Sequence, residues 1–157
     1  GGCGYASGGG GYGTKGGEED VLSDDGRGGG MYGEETLLKE IHFGSGGGRT
    51  SLISRGGSGG GIIELIIGQQ LINYGLIQSN GGDGGYSGGG GGSGGSILIE
   101  LQNHKFIQIF GTIKCIGGNQ CQMNEGGKGR IAIYGIELSP DKIKDIDPKP
   151  FNKIHKT

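Results

Sequence analysis

Short isoleucine-rich runs separated by glycine tracts set the pattern of the second half of the chain. Residues 62–67 and 97–101 are β-branched runs bounded by glycine, and residues 71–79 and 106–116 continue with Ile, Tyr, Phe and Thr. Runs of this length and composition are typical of β-strands. The pattern therefore predicts several short strands joined by glycine.

Alternation by two gives each predicted strand an apolar face and a mixed face. In the first run Ile63 and Leu65 share one face, and Glu64 points the other way. Leu98 occupies the glutamate face of the second run, so we expect that face to be partly covered. The predicted core consists of Ile63, Leu65, Ile99, Leu101, Ile113, Ile131 and Ile133.

The runs form an internal repeat. Ile63-Glu64-Leu65 matches Ile99-Glu100-Leu101 at an offset of 36 positions, and the same offset sets Ile77 on Ile113. Repeated units that cannot bury an apolar face alone are expected to stack. The prediction is an all-β fold with parallel or mixed β-solenoid-like strands, in units of about 56–90, 91–125 and a partial 126–135.

Glycine is the commonest residue, at 44 of 157 positions. The tract from 81 to 95 would extend roughly 45 Å at about 3.1 Å per residue, much more than a strand of about 17–20 Å. We expect it to double back at Tyr86-Ser87. Ordered polyglycine-II helices packed on the strands are the favoured interpretation, and a disordered loop is the alternative.

Residues 136–157 contain no glycine, so the chain divides into a glycine-rich domain at 1–135 and a tail at 136–157. Alternating charges and three prolines predict an extended charged C-terminal arm that could add to a neighbouring subunit. A frayed terminus is the alternative. The apolar residues of this possible assembly arm are Ile143, Ile146, Phe151 and Ile154. No capping repeat is visible, which favours a homo-oligomer or filament.

Charge and hydropathy exclude several classes of partner. The formal net charge is −2 and the pI is near 5.9, which predicts no nucleic-acid partner. Arg27-Gly28-Gly29 and Arg55-Gly56-Gly57 resemble RNA-binding triplets, but they are sparse. No apolar run is long enough to span a bilayer, so we expect no membrane insertion. The chain starts at Gly1, which suggests a processed product or an excised segment.

The cysteines allow two interpretations. Cys115 and Cys121 enclose a flexible loop that could close as a disulfide, leaving Cys3 for an intermolecular bond. Three unrelated thiols are the alternative. No Cys or His pair has the spacing of a zinc site, and we expect no metal and no cofactor.

Two groups of carboxylates are the nearest approach to reactive chemistry. Glu64 and Glu100 recur in the repeat and, if stacked, could bind Ca²⁺ or act as an acid and base. Exposed glutamates on a strand face are the favoured interpretation. The acidic cluster from Glu18 to Asp25 lacks the spacing of a calcium loop. We expect no catalytic residues.

Three successions carry a resemblance to a known repeat. They are Gly-Gly-Ser-Gly-Gly-Ser96-Ile97-Leu98-Ile99, Phe110-Gly111-Thr112-Ile113 with Gly117-Gly118, and Gly126-Gly127-Lys128-Gly129-Arg130-Ile131-Ala132-Ile133-Tyr134. Together they resemble the glycine-rich repeat of very long secreted and cell-surface proteins of microbes and protists. In composition the tracts also resemble the polyglycine-II region of anaplastic-lymphoma-kinase-type receptors. The resemblance implies an extracellular or cell-surface location and supplies no catalytic residue.

These observations lead to one main functional expectation. The chain is expected to be a non-enzymatic structural subunit of an extracellular fibre, coat or surface appendage that self-assembles through its solenoid ends and C-terminal arm. A glycan- or ice-binding module is the alternative, for which Tyr74, Phe110 and Thr112 could form a flat row. A glycine-rich RNA-binding segment is a weaker alternative.

Overall fold

Two parallel β-sheets, visited alternately by the chain, form the centre of the molecule. The computed structural model describes residues 8–18, 26–49, 54–86, 88–119 and 124–156. Sheet one has the order β1 (Ile62–Ile67), β3 (Ser96–Leu101), β5 (Arg130–Tyr134), β7 (Phe151–Lys153). Sheet two has the order β2 (Leu76–Gln78), β4 (Thr112–Lys114), β6 (Ile146–Asp147). One helical turn, α1 (Pro140–Ile143), precedes β6.

The predicted all-β solenoid is wrong. The described residues form two parallel sheets of unequal size with a short helix, a mixed arrangement of the α/β type, and they form no solenoid. A solenoid stacks equivalent coils at a constant sequence step. Here the step changes: Ile63 pairs with Ile97, Ile77 pairs with Ile113, and Ala132 pairs with Phe151. The last pairing uses the glycine-free tail, whose sequence is unrelated to the repeat.

The predicted 36-residue register holds in sheet two and is wrong in sheet one. Ile77 lies beside Ile113, as expected, whereas Ile63 lies beside Ile97 and not beside Ile99. The turn between β1 and β2 spans 68–75, and the turn between β3 and β4 spans 102–111, which is two residues longer. The longer second turn restores the offset of 36 in sheet two. Sequence alignment alone could not locate this compensation.

The core lies between the two sheets. Ile97, Ile99, Leu101, Ile131 and Ile133 of sheet one are buried against Ile113 and Ile146 of sheet two and against Cys115, which directly follows β4. Five of the seven predicted core residues are therefore buried. The other two, Ile63 and Leu65, are only partly buried because β1 is an edge strand.

The opposite face of sheet one is also covered, as the sequence predicted for Leu98. Leu98, Ala132 and Tyr134 are buried there with Leu37. Ile41 and Phe151 pack against the same cluster. The cover thus comes from a segment more than fifty positions upstream of β3, which no local pattern could have indicated.

The glycine tracts pack side by side at one end of the sheets. The segment 88–95 is buried along its whole length. Its backbone hydrogen-bonds with six neighbouring segments, which are 8–11, 44–48, 56–61, 79–85, 117–119 and 124–129. We call these seven segments the glycine bundle. Many of its hydrogen bonds join main-chain groups that lie far apart in the sequence, such as Gly10 with Gly91.

The partners of the central segment repeat every third residue. The amides of Gly90 and Ser93 donate to the segment 44–48, and those of Gly91 and Gly94 donate to the segment 124–129. Gly92 and Gly95 donate to the segment 79–85 in the same way. Three residues per turn is the period of an extended threefold helix. Each turn of such a helix points one amide at each of three neighbours.

The absence of side chains makes this packing close. A Cβ atom on Gly92 would overlap the carbonyl group of Ser58, and one on Gly91 would overlap that of Gly118. Backbones can lie at hydrogen-bonding distance on several sides only where no Cβ intervenes. The glycines of the bundle are therefore a packing requirement, and they replace a side-chain core with a network of main-chain hydrogen bonds.

The tail does not extend from the molecule as an arm. It forms α1, adds β6 to β4 and adds β7 to β5 of the same chain. Ile146 is buried, and Ile143 and Phe151 pack on the two cores, whereas Ile154 is half exposed. Adding the tail to its own sheets costs no loss of translational freedom, in contrast to binding a neighbour.

Candidate functional site

The most distinctive surface is the open edge of both sheets at the first repeat unit. Among the described residues, β1 pairs only with β3, and β2 pairs only with β4. Both free edges belong to the same unit and lie at the same end of the two sheets. We call this surface, formed by residues 62–67 and 72–78, the open edge.

Main-chain hydrogen bonds show which groups face outward. The carbonyl of Gly61, just before β1, accepts from the amide of Ser96 (3.0 Å), and that of Ile67, the last residue of β1, accepts from the amide of Gln102 (2.9 Å). Since alternate residues of a parallel strand bond to opposite sides, the amides and carbonyls of Ile62, Glu64 and Ile66 face away from β3. The open edge thus presents unpaired groups in the spacing that another strand would need.

Sheet two has the same arrangement. The carbonyl of Gly75 accepts from the amide of Thr112 at 3.1 Å, and the amide of Ser79 donates to the carbonyl of Lys114 at 2.9 Å. The intervening Leu76 and Gln78 therefore direct their backbone groups outward. Both layers of the molecule end in a strand that can accept a partner.

Large apolar side chains accompany these unpaired groups. Ile66 is 57 % exposed and Leu76 is 52 % exposed. In the turn between them, Ile72 and Tyr74 are exposed as well. Exposed apolar residues grouped with an unpaired strand edge mark a surface for association. The signal in the sequence was Ile66, an isoleucine on the glutamate face of β1.

The other end of the sheets is protected. There β6 has two residues and β7 has three, and Pro148 and Pro150 interrupt the segment between them. Lys149, between these strands, and Lys153, the last residue of β7, are exposed. Short strands, proline and lysine are the means by which natural sheets block edge pairing. The two ends of the molecule are therefore unequal.

The tail is held in place by polar contacts. The side-chain amide of Asn152 donates to the carbonyls of Ile133 (2.9 Å) and Ile136 (2.8 Å) and accepts from the amide of Leu138 (3.0 Å). Lys128 forms an ion pair with Asp147 at 2.6 Å. These contacts fasten the protected end to the repeat units.

The two repeated glutamates do not stack. The two-residue difference in register sets Glu64 beside Leu98 and Glu100 beside Ile66. Glu64 is exposed, whereas Glu100 forms an ion pair with Lys156 at 2.7 Å. The pair of carboxylates for Ca²⁺ or acid and base chemistry, the less favoured interpretation, is therefore not assembled. Among the described residues, no group of three metal-binding side chains comes together.

A pocket of about 270 Å³ lies at the carboxyl ends of the sheet-one strands. Its polar lining includes the Glu100–Lys156 ion pair, His104 and His155. The carboxylate and the ammonium group neutralise each other across 2.7 Å. The pocket therefore presents no net charge from this pair to a ligand.

Of the three cysteines, Cys115 alone lies among the described residues. The thiol of Cys115 is buried in the core between the sheets, and burial raises its pKa to about 12. Cys121 and Cys3 lie outside the described residues, so the disulfide and the intermolecular bond stay predictions. A raised thiol pKa lowers the fraction of reactive thiolate at neutral pH.

Residues proposed for the alternative functions are scattered. Tyr74 is exposed, but Phe110 is buried and Thr112 is half-buried, so they do not form a flat exposed row. Arg27 and Arg55 are both exposed, and Arg55 directly precedes the segment 56–61 of the glycine bundle. Glu18 is held by Lys15 at 2.8 Å, and the rest of the acidic cluster lies outside the described residues.

No family model, curated protein or solved structure matches this chain. The resemblance to the glycine-rich repeat of secreted proteins thus stays an expectation. None of the described helices is long and apolar enough to cross a bilayer.

Proposed function

We propose that this protein is a non-enzymatic structural subunit that self-associates through its open edge in an extracellular or cell-surface setting. The open edge is the observation that carries the proposal, because it combines unpaired strand groups with exposed Ile66 and Leu76. An edge of this kind favours strand addition from another chain.

The glycine bundle supports a structural role. Its main-chain hydrogen bonds connect segments from residue 8 to residue 129, and so tie the N-terminal part of the chain to both repeat units. A framework fixed by the backbone leaves its surface side chains free to vary. The extracellular setting rests on the resemblance alone.

Light scattering over a range of protein concentrations, with electron microscopy of the same samples, tests this function. We expect the mean mass of the wild-type protein to rise with concentration. The variant Ile66→Lys/Leu76→Lys sets two charges on the open edge and should keep the protein monomeric. Met31→Lys is the matched control, since Met31 is 68 % exposed and lies outside the open edge.

The outcomes separate the hypotheses. A wild-type protein that stays monomeric at every concentration contradicts the structural function. Association that the double variant does not weaken rejects the open edge as its site. Binding to a glycan array by a monomeric protein would instead favour the alternative glycan-binding module.

A further inference from the structure

The inequality of the two ends limits how copies of this chain can associate. A filament that grows head to tail needs two complementary surfaces on each subunit. Here one end has the six-residue β1, while the other has β6 and β7 with two and three residues. Lysines and prolines further protect the second end. As far as the described residues show, only the end formed by β1 and β2 is suited to accept a strand.

We propose that the open edge binds the open edge of a second copy, so that association stops at a two-fold symmetric dimer. The inference rests on the proposed function, since it names the partner for the same surface. A surface that meets its own copy forms an isologous contact, and such a contact closes at two subunits.

The topology allows both sheets to take part. The sheets stack face to face around one core, and β1 and β2 end them on the same side. A two-fold axis perpendicular to the stacked sheets would set β1 antiparallel to its copy and β2 antiparallel to its copy. Sheet one would then run through eight strands and sheet two through six, counted over the two chains.

The outward-facing backbone groups of β1 and β2 lie at alternate residues, which is the spacing that pairing with a second strand needs. Ile62, Glu64 and Ile66 turn their amides and carbonyls outward, as do Leu76 and Gln78. Antiparallel pairing uses residues that exchange both bonds with a partner, at alternate positions along each strand. The dimer would thus satisfy groups that are paired with nothing else in sheet one or sheet two.

Glu64 supplies a specific mark of the two-fold arrangement. It is exposed at the middle of β1, between Ile62 and Ile66. Around a two-fold axis through the open edge, the Glu64 carboxylates of the two copies approach each other on one face of the joined sheet. Like charges across neighbouring strands are destabilising. Glu64 therefore weakens the dimer, and it keeps the edge from pairing indiscriminately.

Sedimentation velocity on the full chain tests the inference through the mass at which association stops. We expect a monomer and dimer equilibrium with no larger species as concentration rises. Glu64→Gln should lower the dissociation constant by about two- to fivefold, in keeping with a weak cross-strand repulsion. Added salt should strengthen the wild-type dimer and affect the Glu64→Gln dimer less.

The controls separate this inference from the proposed function. Glu137→Gln removes an exposed carboxylate outside the open edge and should leave the equilibrium unchanged. Wild-type species that grow without limit would overturn the two-fold dimer but leave the structural function intact. An unchanged dissociation constant in Glu64→Gln also overturns the two-fold pairing of β1. A wild-type protein that never associates contradicts both.

Discussion

The hydroxyl of Tyr12 lies 2.7 Å from the hydroxyl of Ser96, across 84 positions of sequence. Ser96 in turn donates to the carbonyl of His42 at 2.7 Å, so the Tyr12 hydroxyl must be the donor in the first bond. Tyr12 also stacks on Tyr32, with ring centroids 4.7 Å apart, and lies beneath the guanidinium of Arg130 at 5.4 Å. This contact joins the N-terminal segment to the start of β3.

Removing the hydroxyl of Tyr12 tests the strength of that connection. Tyr12→Phe keeps the buried ring and loses one hydrogen bond, so we expect the free energy of unfolding to fall by about 0.5–1.5 kcal/mol. Urea unfolding at constant m-value measures the loss. Tyr86→Phe is the control, because Tyr86 is fully exposed and its variant should be neutral. Equal stability of Tyr12→Phe and wild type would show that the bond contributes nothing.

The glycine bundle should be sensitive to the smallest side chain. Gly92→Ala forces a Cβ atom against the carbonyl of Ser58 and neighbouring backbone, and overpacking of this kind costs about 1–3 kcal/mol. Gly30→Ala is the matched control, since nothing lies within 4 Å of a Cβ atom at that position. It should be neutral or stabilising by up to about 1 kcal/mol, through a less flexible unfolded chain.

Thermal or urea unfolding of the two alanine variants measures the cost of a Cβ atom in the glycine bundle. If Gly92→Ala and Gly30→Ala both unfold at the wild-type midpoint, then the backbone around Gly92 is not packed closely enough to exclude a Cβ atom. A bundle that unfolds before the sheets should give Gly92→Ala a second, earlier transition.

Local pattern was enough to predict the strands of the repeat but not their neighbours. The two long runs form β1 and β3, because β-branched residues in a short run bounded by glycine favour a strand. The predicted register of sheet one was wrong by two residues, because β1 and β3 pair at an offset of 34, and the longer turn at 102–111 restores 36 only in sheet two. The prediction for the tail was wrong because its charges and prolines indicated an extended arm. Ile146 instead pairs with β4 and is buried.

The candidate site was predictable only in part. The sequence indicated association, from the lack of a capping repeat, and assigned the contact to the solenoid ends and the C-terminal arm. The tail instead adds to the chain's own sheets, and the edge that stays open among the described residues is that of the first unit. Whether an edge is open depends on which strands pair, and that is a tertiary property. The exposure of Ile66 and Leu76 follows from their place in the first unit, since their counterparts Glu100 and Thr112 have a strand on either side.

The buried thiol of Cys115 should make stability depend on alkaline pH. Burial holds the native pKa at about 12, above its ordinary value of 9.0. Between these values the unfolded chain releases the proton and the native chain keeps it. The free energy of unfolding therefore falls as pH rises, by at most about 1.4 kcal/mol per pH unit.

Comparison of wild type with Cys115→Ala isolates this effect. Unfolding of reduced protein at pH 8.5 to 10 should show a steeper loss of stability in wild type than in the variant. Burial also raises the pKa of Tyr12 and Tyr134, so both proteins should lose stability above pH 10. Parallel pH profiles would show that the thiol titrates alike in the native and unfolded chains.

Asn152 should fasten the tail more than its exposed neighbours do. Asn152→Ala removes two hydrogen bonds to the carbonyls of Ile133 and Ile136 and leaves the amide of Leu138 without its acceptor. We expect a loss of about 1–3 kcal/mol, because partly buried groups lose their partners. Limited proteolysis should then cut the tail faster than in wild type, since β7 would separate from β5 more often. Lys153→Ala, at an exposed position of the same strand, should leave both stability and cleavage unchanged. Identical cleavage rates in Asn152→Ala and wild type would show that packing of Ile146 and Phe151 alone retains the tail.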